Sequence, residues 1–153
     1  MKTKFIITSL FTVVSLAVFV TPLMSHHSFA MYDQSKTITW TGVMTRFVAQ
    51  ANHAEIHFVP LGTDGKPLRG SDGKPIQWGV EMAGAAAVAE QGITAASFPA
   101  GTIFSVKLNP LRDGSNFGSR IGAIAKCPAG KPPAAGKHCD TVEGSTLLGG
   151  NTF

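Results

Sequence analysis

Thr37-Ile38-Thr39-Trp40-Thr41-Gly42-Val43-Met44-Thr45-Arg46-Phe47-Val48-Ala49-Gln50 is the stretch on which the fold turns. Its β-branched and aromatic residues favour an extended chain. Ile38 and Trp40 share one parity before Gly42, whereas Val43 and Phe47 take the opposite parity after it. A parity switch at a glycine predicts a β-bulge in a long, bent strand.

Outward from this strand the pattern continues. In residues 54–59, Ala54, Ile56 and Phe58 alternate with Glu55, His57 and Val59, and Pro60 ends the run; a half-buried second strand is expected. Asp-Gly-Lys-Pro then occurs twice, at 64–67 and 72–75, and Asp-Gly pairs supply turns that need positive φ, so 61–75 reads as a long exposed connection. Its acids are too few and too badly spaced for an EF-hand. Ile76, Trp78, Val80 and Met82 mark a third strand, and residues 83–91 a short Ala-rich helix with Gly92 at its C′ position. Residues 102–109 carry Phe104, Val106 and Leu108 on one face, and residues 119–126 carry Ile121 and Ile124, which makes strands four and five. The order β-β-β-α-β-β predicts an all-β protein with one short helix, an OB-fold-like five-stranded barrel whose first strand bends at Gly42. An open five-stranded sheet with a covering helix is the alternative with the same order.

The two ends of the chain set its compartment. Lys2 and Lys4 precede the uncharged residues 5–20, followed by Pro22 and a small residue at Ser25, which is the layout of a secretory signal. Cleavage after Ser25 is favoured over cleavage after Ala30, which lies farther from the apolar segment. A membrane anchor needs about 20 apolar residues, and Thr8, Ser9, Thr12 and Ser15 dilute this one. Expected are a signal peptide at 1–25, an N-terminal arm at 26–36, the barrel at 37–126, and a disulfide loop with a flexible tail at 127–153. The destination is the periplasm or the exterior, with no stable membrane span. Loss of Lys2 and Lys4 lowers the basic residues from 13 to 11 against nine acids. They form no stripe of the kind nucleic acid needs, so that partner is excluded. Cys127 and Cys139 flank a loop rich in Pro, Gly, Ala and Lys, and an exported chain predicts a disulfide between them. A Cys127/His138/Cys139 metal site is the alternative, one ligand short of the usual four.

His53, Glu55 and His57 fall on one face of the second strand, about 6 to 7 Å apart at successive alternate positions. Imidazole suits Cu, Zn or Ni, and a carboxylate can be a third ligand. The same pattern also describes the ordinary polar face of a half-buried strand. His26, as an exported N-terminus, would offer an α-amine and an imidazole beside that of His27, a nitrogen-rich set that suits Cu(II). Arg112 and Asp113 lie in the loop between strands four and five, where OB-folds commonly bind ligands; they can equally serve to hold the turn. No Gly-x-Ser-x-Gly, phosphate loop, His-Glu-x-x-His or dinucleotide fingerprint occurs, so no enzymatic activity is expected.

His26-His27-Ser28-Phe29-Ala30-Met31-Tyr32-Asp33, Asn52-His53, Gln77-Trp78-Gly79-Val80-Glu81 and Pro110-Leu111-Arg112-Asp113-Gly114 resemble the blocks of a family of small exported bacterial proteins of unknown function. The family's blocks are a His-His-Ser-Phe-Ala start, an Asn-Pro-His step, a Trp-containing strand ending in Glu and a Pro-Leu-Arg-Asp-Gly loop. This chain lacks the proline between Asn52 and His53, carries Ile93 where an aromatic usually follows the glycine, and adds the 61–75 insert and the cysteine loop. The resemblance implies no activity; it implies that His26 and His27 belong to the exported protein. The expected function is a binding module for a transition metal, copper first and zinc second, through His26, His27, His53, Glu55 and His57. The alternative is a metal-free protein-interaction or envelope-structural module using Arg112, Asp113 and the insert to hold an envelope protein. A small-molecule carrier using the aromatic face is a third possibility.

Overall fold

A computed structural model describes residues 29–150 and 152–153 of the chain. Six strands, β1 (Ile38–Ala49), β2 (Ala54–Pro60), β3 (Trp78–Met82), β4 (Ile103–Pro110), β5 (Phe117–Lys126) and β6 (Thr146–Leu148), form one sheet in the order β3-β2-β1-β4-β5-β6. One helix, α1 (Ala85–Glu90), lies between β3 and β4. The sheet closes because β5 also pairs with β3, in parallel, at Gly79↔Phe117, Val80↔Gly118 and Glu81↔Ser119. The five-stranded barrel expected from the element order is therefore present, closed by that parallel pairing into a mixed sheet, and the open sheet is not. β6 takes the other half of β5's second edge, Ile124 to Lys126, so the end of the chain carries a strand that its Gly/Thr/Ser-rich composition concealed.

β1 pairs with β2 over its second half and with β4 over its first. The register break falls between Met44 and Arg46, not at Gly42. Met44 keeps the inward parity of Trp40, and the inward sequence resumes at Phe47, opposite Ile56. Gly42 serves a different need. A Cβ there would lie 2.9 Å from the Val59 carbonyl oxygen and closer still to the Phe58 ring. Glycine at 42 thus lets the Phe58 ring cross the strand. Gly42→Ala is expected to destabilise by roughly 2 kcal/mol through overpacking, which denaturant titration checks; an unchanged midpoint would contradict it.

The barrel is filled by Ile56, Phe58, Val80, Phe104, Val106, Leu108 and Ile124, all with no exposed surface. Phe104 touches Phe58 and Phe98 edge to face, with centroids 5.3 and 5.8 Å away, a preferred aromatic geometry. Helix α1 packs into the core through Val88 and ends as its sequence predicts. Gly92 has φ +79°, its N–H donates to Ala89 O, and Ile93 N–H donates to Val88 O, the paired bonds of a Schellman cap. Ile93, the residue after that glycine, is itself fully buried.

The duplicated insert folds as two copies of one turn. In the first, Asp64 Oδ1 accepts from Lys66 N–H at 3.0 Å and Gly65 has φ +75°; in the second, Asp72 accepts from Lys74 N–H at 3.0 Å and Gly73 has φ +74°. The cysteines are disulfide-bonded. Cys139, Ala125 and Cys127 form a small buried cluster outside the barrel, with Ile103, Val142 and Phe153 against it.

Candidate functional site

The outward positions of β2 and β3 bring Glu55 and Glu81 directly opposite each other. Like charges so placed repel, and each is answered by an imidazole. His57 Nε2 lies 2.8 Å from Glu55 Oε2, and His53 Nδ1 lies 3.4 Å from Glu81 Oε1. The four side chains are half-buried, with 18–26 % of their surface exposed. Arg46, across from His57 in β1, brings Nη2 to 3.3 Å from the same Nε2. Carboxylate oxygens only accept, so the shorter contact requires a proton on His57 Nε2, which puts that ring's lone pair on Nδ1 in its neutral form. By the same logic, Glu81 favours a proton on His53 Nδ1 and a lone pair on Nε2.

Glu81 also accepts a hydrogen bond from the Tyr32 hydroxyl at 2.9 Å. Tyr32 is only 4 % exposed. Burial first, and then the bond to Glu81 and the charge of Glu55, raise its phenol above the ordinary tyrosine range, so it remains a neutral donor. The arm carrying Tyr32 is clamped by the β4–β5 loop. Asp33 N–H donates to Pro110 O at 2.8 Å, Arg112 N–H donates to Met31 O at 3.0 Å, and Tyr32 bridges Leu111. Arg112 Nε donates to Ala30 O at 3.0 Å, while Nη1 stands 3.9 Å from Asp33 Oδ1. Asp113 caps its own turn, accepting from Ser115 N–H at 2.8 Å, and that backbone bond lowers its carboxyl pKa.

Asp33 fixes the turn after the arm. The Ser35 hydroxyl donates to it at 2.6 Å, and Lys36 Nζ lies 3.1 Å away. These contacts, Ser35 first, hold its pKa at about 2 against an ordinary 3.8. With the folded value below the unfolded one, the carboxylate favours the docked arm above pH 3.8, and the contribution fades as pH falls through about 2. Acidification over that window should loosen the turn at residues 33–36, read as faster exchange of the Lys36 amide, which donates to Asp33 O. Equal loosening in Asp33→Asn at neutral pH supports the assignment; no change in either would contradict it.

Of the residues singled out from sequence, His53, Glu55 and His57 do share one face, and Arg112 sits at its edge through the arm. His26 and His27 lie outside the described residues. Among the described residues, no group of three or more His, Cys, Asp or Glu side chains comes together as a metal site. Glu81, Tyr32 and Arg46 were not singled out. The alternation of β3 does mark Glu81 as outward, but its pairing with Glu55 depends on strand register. A separate groove of about 710 Å³ lies between the first turn copy and the cysteine loop, with Trp40, Thr41, Leu68 and His138 among its lining residues.

Fold and site define a small closed β-barrel with an N-terminal arm hydrogen-bonded through Tyr32 to a carboxylate–imidazole face. The family of unknown function DUF6152 matches residues 13–120, more than half of the chain, and the chain belongs to that family. The disulfide loop lies beyond the matched residues. No curated protein and no solved structure matches the chain. Among the described residues no helix is long and apolar enough to cross a membrane.

Proposed function

We propose that this protein is an exported binding module that holds a transition-metal ion, copper first and zinc second, where the N-terminal arm meets the carboxylate–imidazole face. The observation that carries the proposal is the Tyr32–Glu81 hydrogen bond. It ties the segment immediately after His26-His27 to the face that bears His53, Glu55 and His57. His27 precedes Tyr32 by only five residues. The barrel face brings imidazoles whose ring N–H groups are directed at carboxylates, an arrangement that orients histidine ligands. In this reading His26 and His27 are the primary ligands, the α-amine of His26 adding a third nitrogen, and His53, Glu55 and His57 are secondary.

Two further features agree with it. Adjacent carboxylates at 55 and 81 favour a cation, and the Cys127–Cys139 disulfide fits an oxidising compartment such as the periplasm. Calorimetric titration of the processed protein with Cu(II) and Zn(II) tests the proposal. One-to-one binding that is tighter than in the His26→Ala/His27→Ala variant is expected; equal binding in the two would sink it.

A further inference from the structure

We infer that the groove between the first Asp-Gly turn and the cysteine loop is a binding site for a small uncharged aromatic molecule that carries a carbonyl oxygen. The site is independent of the metal reading. Its volume of about 710 Å³ falls within the roughly 300 to 1,000 Å³ of small-molecule sites. Its two walls are held to one strand by Thr41. The Thr41 carbonyl accepts from Leu61 N–H of the insert at 2.8 Å, and the Thr41 hydroxyl lies 2.8 Å from His138 Nδ1 of the cysteine loop. Each wall is also braced on its own side. Gly62 N–H donates to Lys66 O at 2.8 Å across the turn, and the Cys127–Cys139 bridge ties down the loop that ends at His138.

Trp40, Leu61, Leu68 and Pro133 make the lining largely apolar, which suits a ring. One donor stands among them. Ser105 is fully buried and its hydroxyl oxygen accepts from Cys139 N–H at 2.8 Å, so its own proton goes to Thr41 Oγ1 at 2.6 Å. Thr41 then gives its proton along the shorter of its two remaining contacts, to His138 Nδ1 at 2.8 Å rather than to Lys137 O at 3.3 Å. With Nδ1 accepting, the neutral His138 ring carries its hydrogen on Nε2. Among the described residues no protein atom accepts that hydrogen. His138 is half-buried and lines the groove, so a ligand oxygen can take it. Asp64 on one wall and Lys137 on the other offset each other in charge, which favours an uncharged carbonyl over a carboxylate.

Acetophenone and ethylbenzene, which differ in the carbonyl oxygen, are the probes. Each is titrated into the processed protein with its bridge formed and followed by NMR amide shifts. Acetophenone is expected to shift the amides of Thr41, Gly62, Leu68 and His138 and to bind about 3- to 10-fold more tightly than ethylbenzene, the effect of one hydrogen bond. His138→Phe should lower acetophenone to the ethylbenzene level; Thr41 keeps Lys137 O as an acceptor in that variant, so the loop stays seated. Leu68→Ser, outside the barrel core, should weaken both probes alike. The imidazole nitrogen shifts of His138 should report hydrogen on Nε2. No shift at those four amides with either probe would overturn the site. Equal affinities for the two probes, or a preference that survives in His138→Phe, would overturn the donor role of His138 and with it the carbonyl class.

Discussion

Replacing Cys127 and Cys139 together with alanine is expected to destabilise the protein by about 3 kcal/mol and to lower its thermal midpoint by roughly 10 °C. The bridge closes a loop with a sequence separation of 12, and a cross-link of that span removes conformational freedom mainly from the unfolded chain. Its folded role is specific. Cys139 N–H donates to Ser105 Oγ at 2.8 Å, Ser105 Oγ lies 2.6 Å from Thr41 Oγ1, and Thr41 Oγ1 lies 2.8 Å from His138 Nδ1. Thr41 and Ser105 are buried outward-facing polar residues of β1 and β4, and the cysteine loop is what satisfies them. Without the bridge, these hydroxyls lose a pre-held cover, and the groove beside Trp40 loses one wall. Differential scanning calorimetry of C127A/C139A checks this. A midpoint within about 2 °C of the parent would show that the C-terminal segment holds its place without the bridge.

Loss of His26 and His27 is expected to weaken Cu(II) binding by more than about 100-fold. Partners that merely orient metal ligands are typically worth about 10- to 100-fold in affinity, and these two residues are proposed as ligands themselves. Replacing His53 or Glu81 should cost less, about 10-fold, because their part is secondary or orienting. This ordering is informative. If His53→Ala weakened binding more than H26A/H27A, the metal would sit on the barrel and the arm would be only its lid. Competition titration with a calibrated copper chelator, run on all the variants, measures the order directly.

Much of the fold was legible in the chain because its signals are local. Alternation in 54–59 and 102–109, the Gly92 cap and the repeated Asp-Gly turns depend only on neighbours, and all appear where expected. Gly42 was misread for a physical reason. Glycine in a strand marks either a bulge or a close approach, and the Phe58 ring that decides between them comes from another strand. β6 was hidden because three residues among glycines carry too little periodicity, and its place is set by the free half of β5. The candidate site was legible in parts. The spacing of His53, Glu55 and His57 revealed their shared face, but Glu81, 26 residues after Glu55, and Tyr32, 21 residues before His53, join it through register and a clamp that only the closed barrel makes. Arg112 stood out as a loop residue, but its contacts with Ala30 and Asp33 of the arm depend on the folded barrel.

The most direct measurement is the Cu(II) affinity of two matched chains, one beginning at His26 and the other at Met31. The chain beginning at His26 should bind one Cu(II) at least about 100-fold more tightly, with Tyr32 and Glu81 present in both. Equal affinities would contradict a metal site built on the N-terminal histidines.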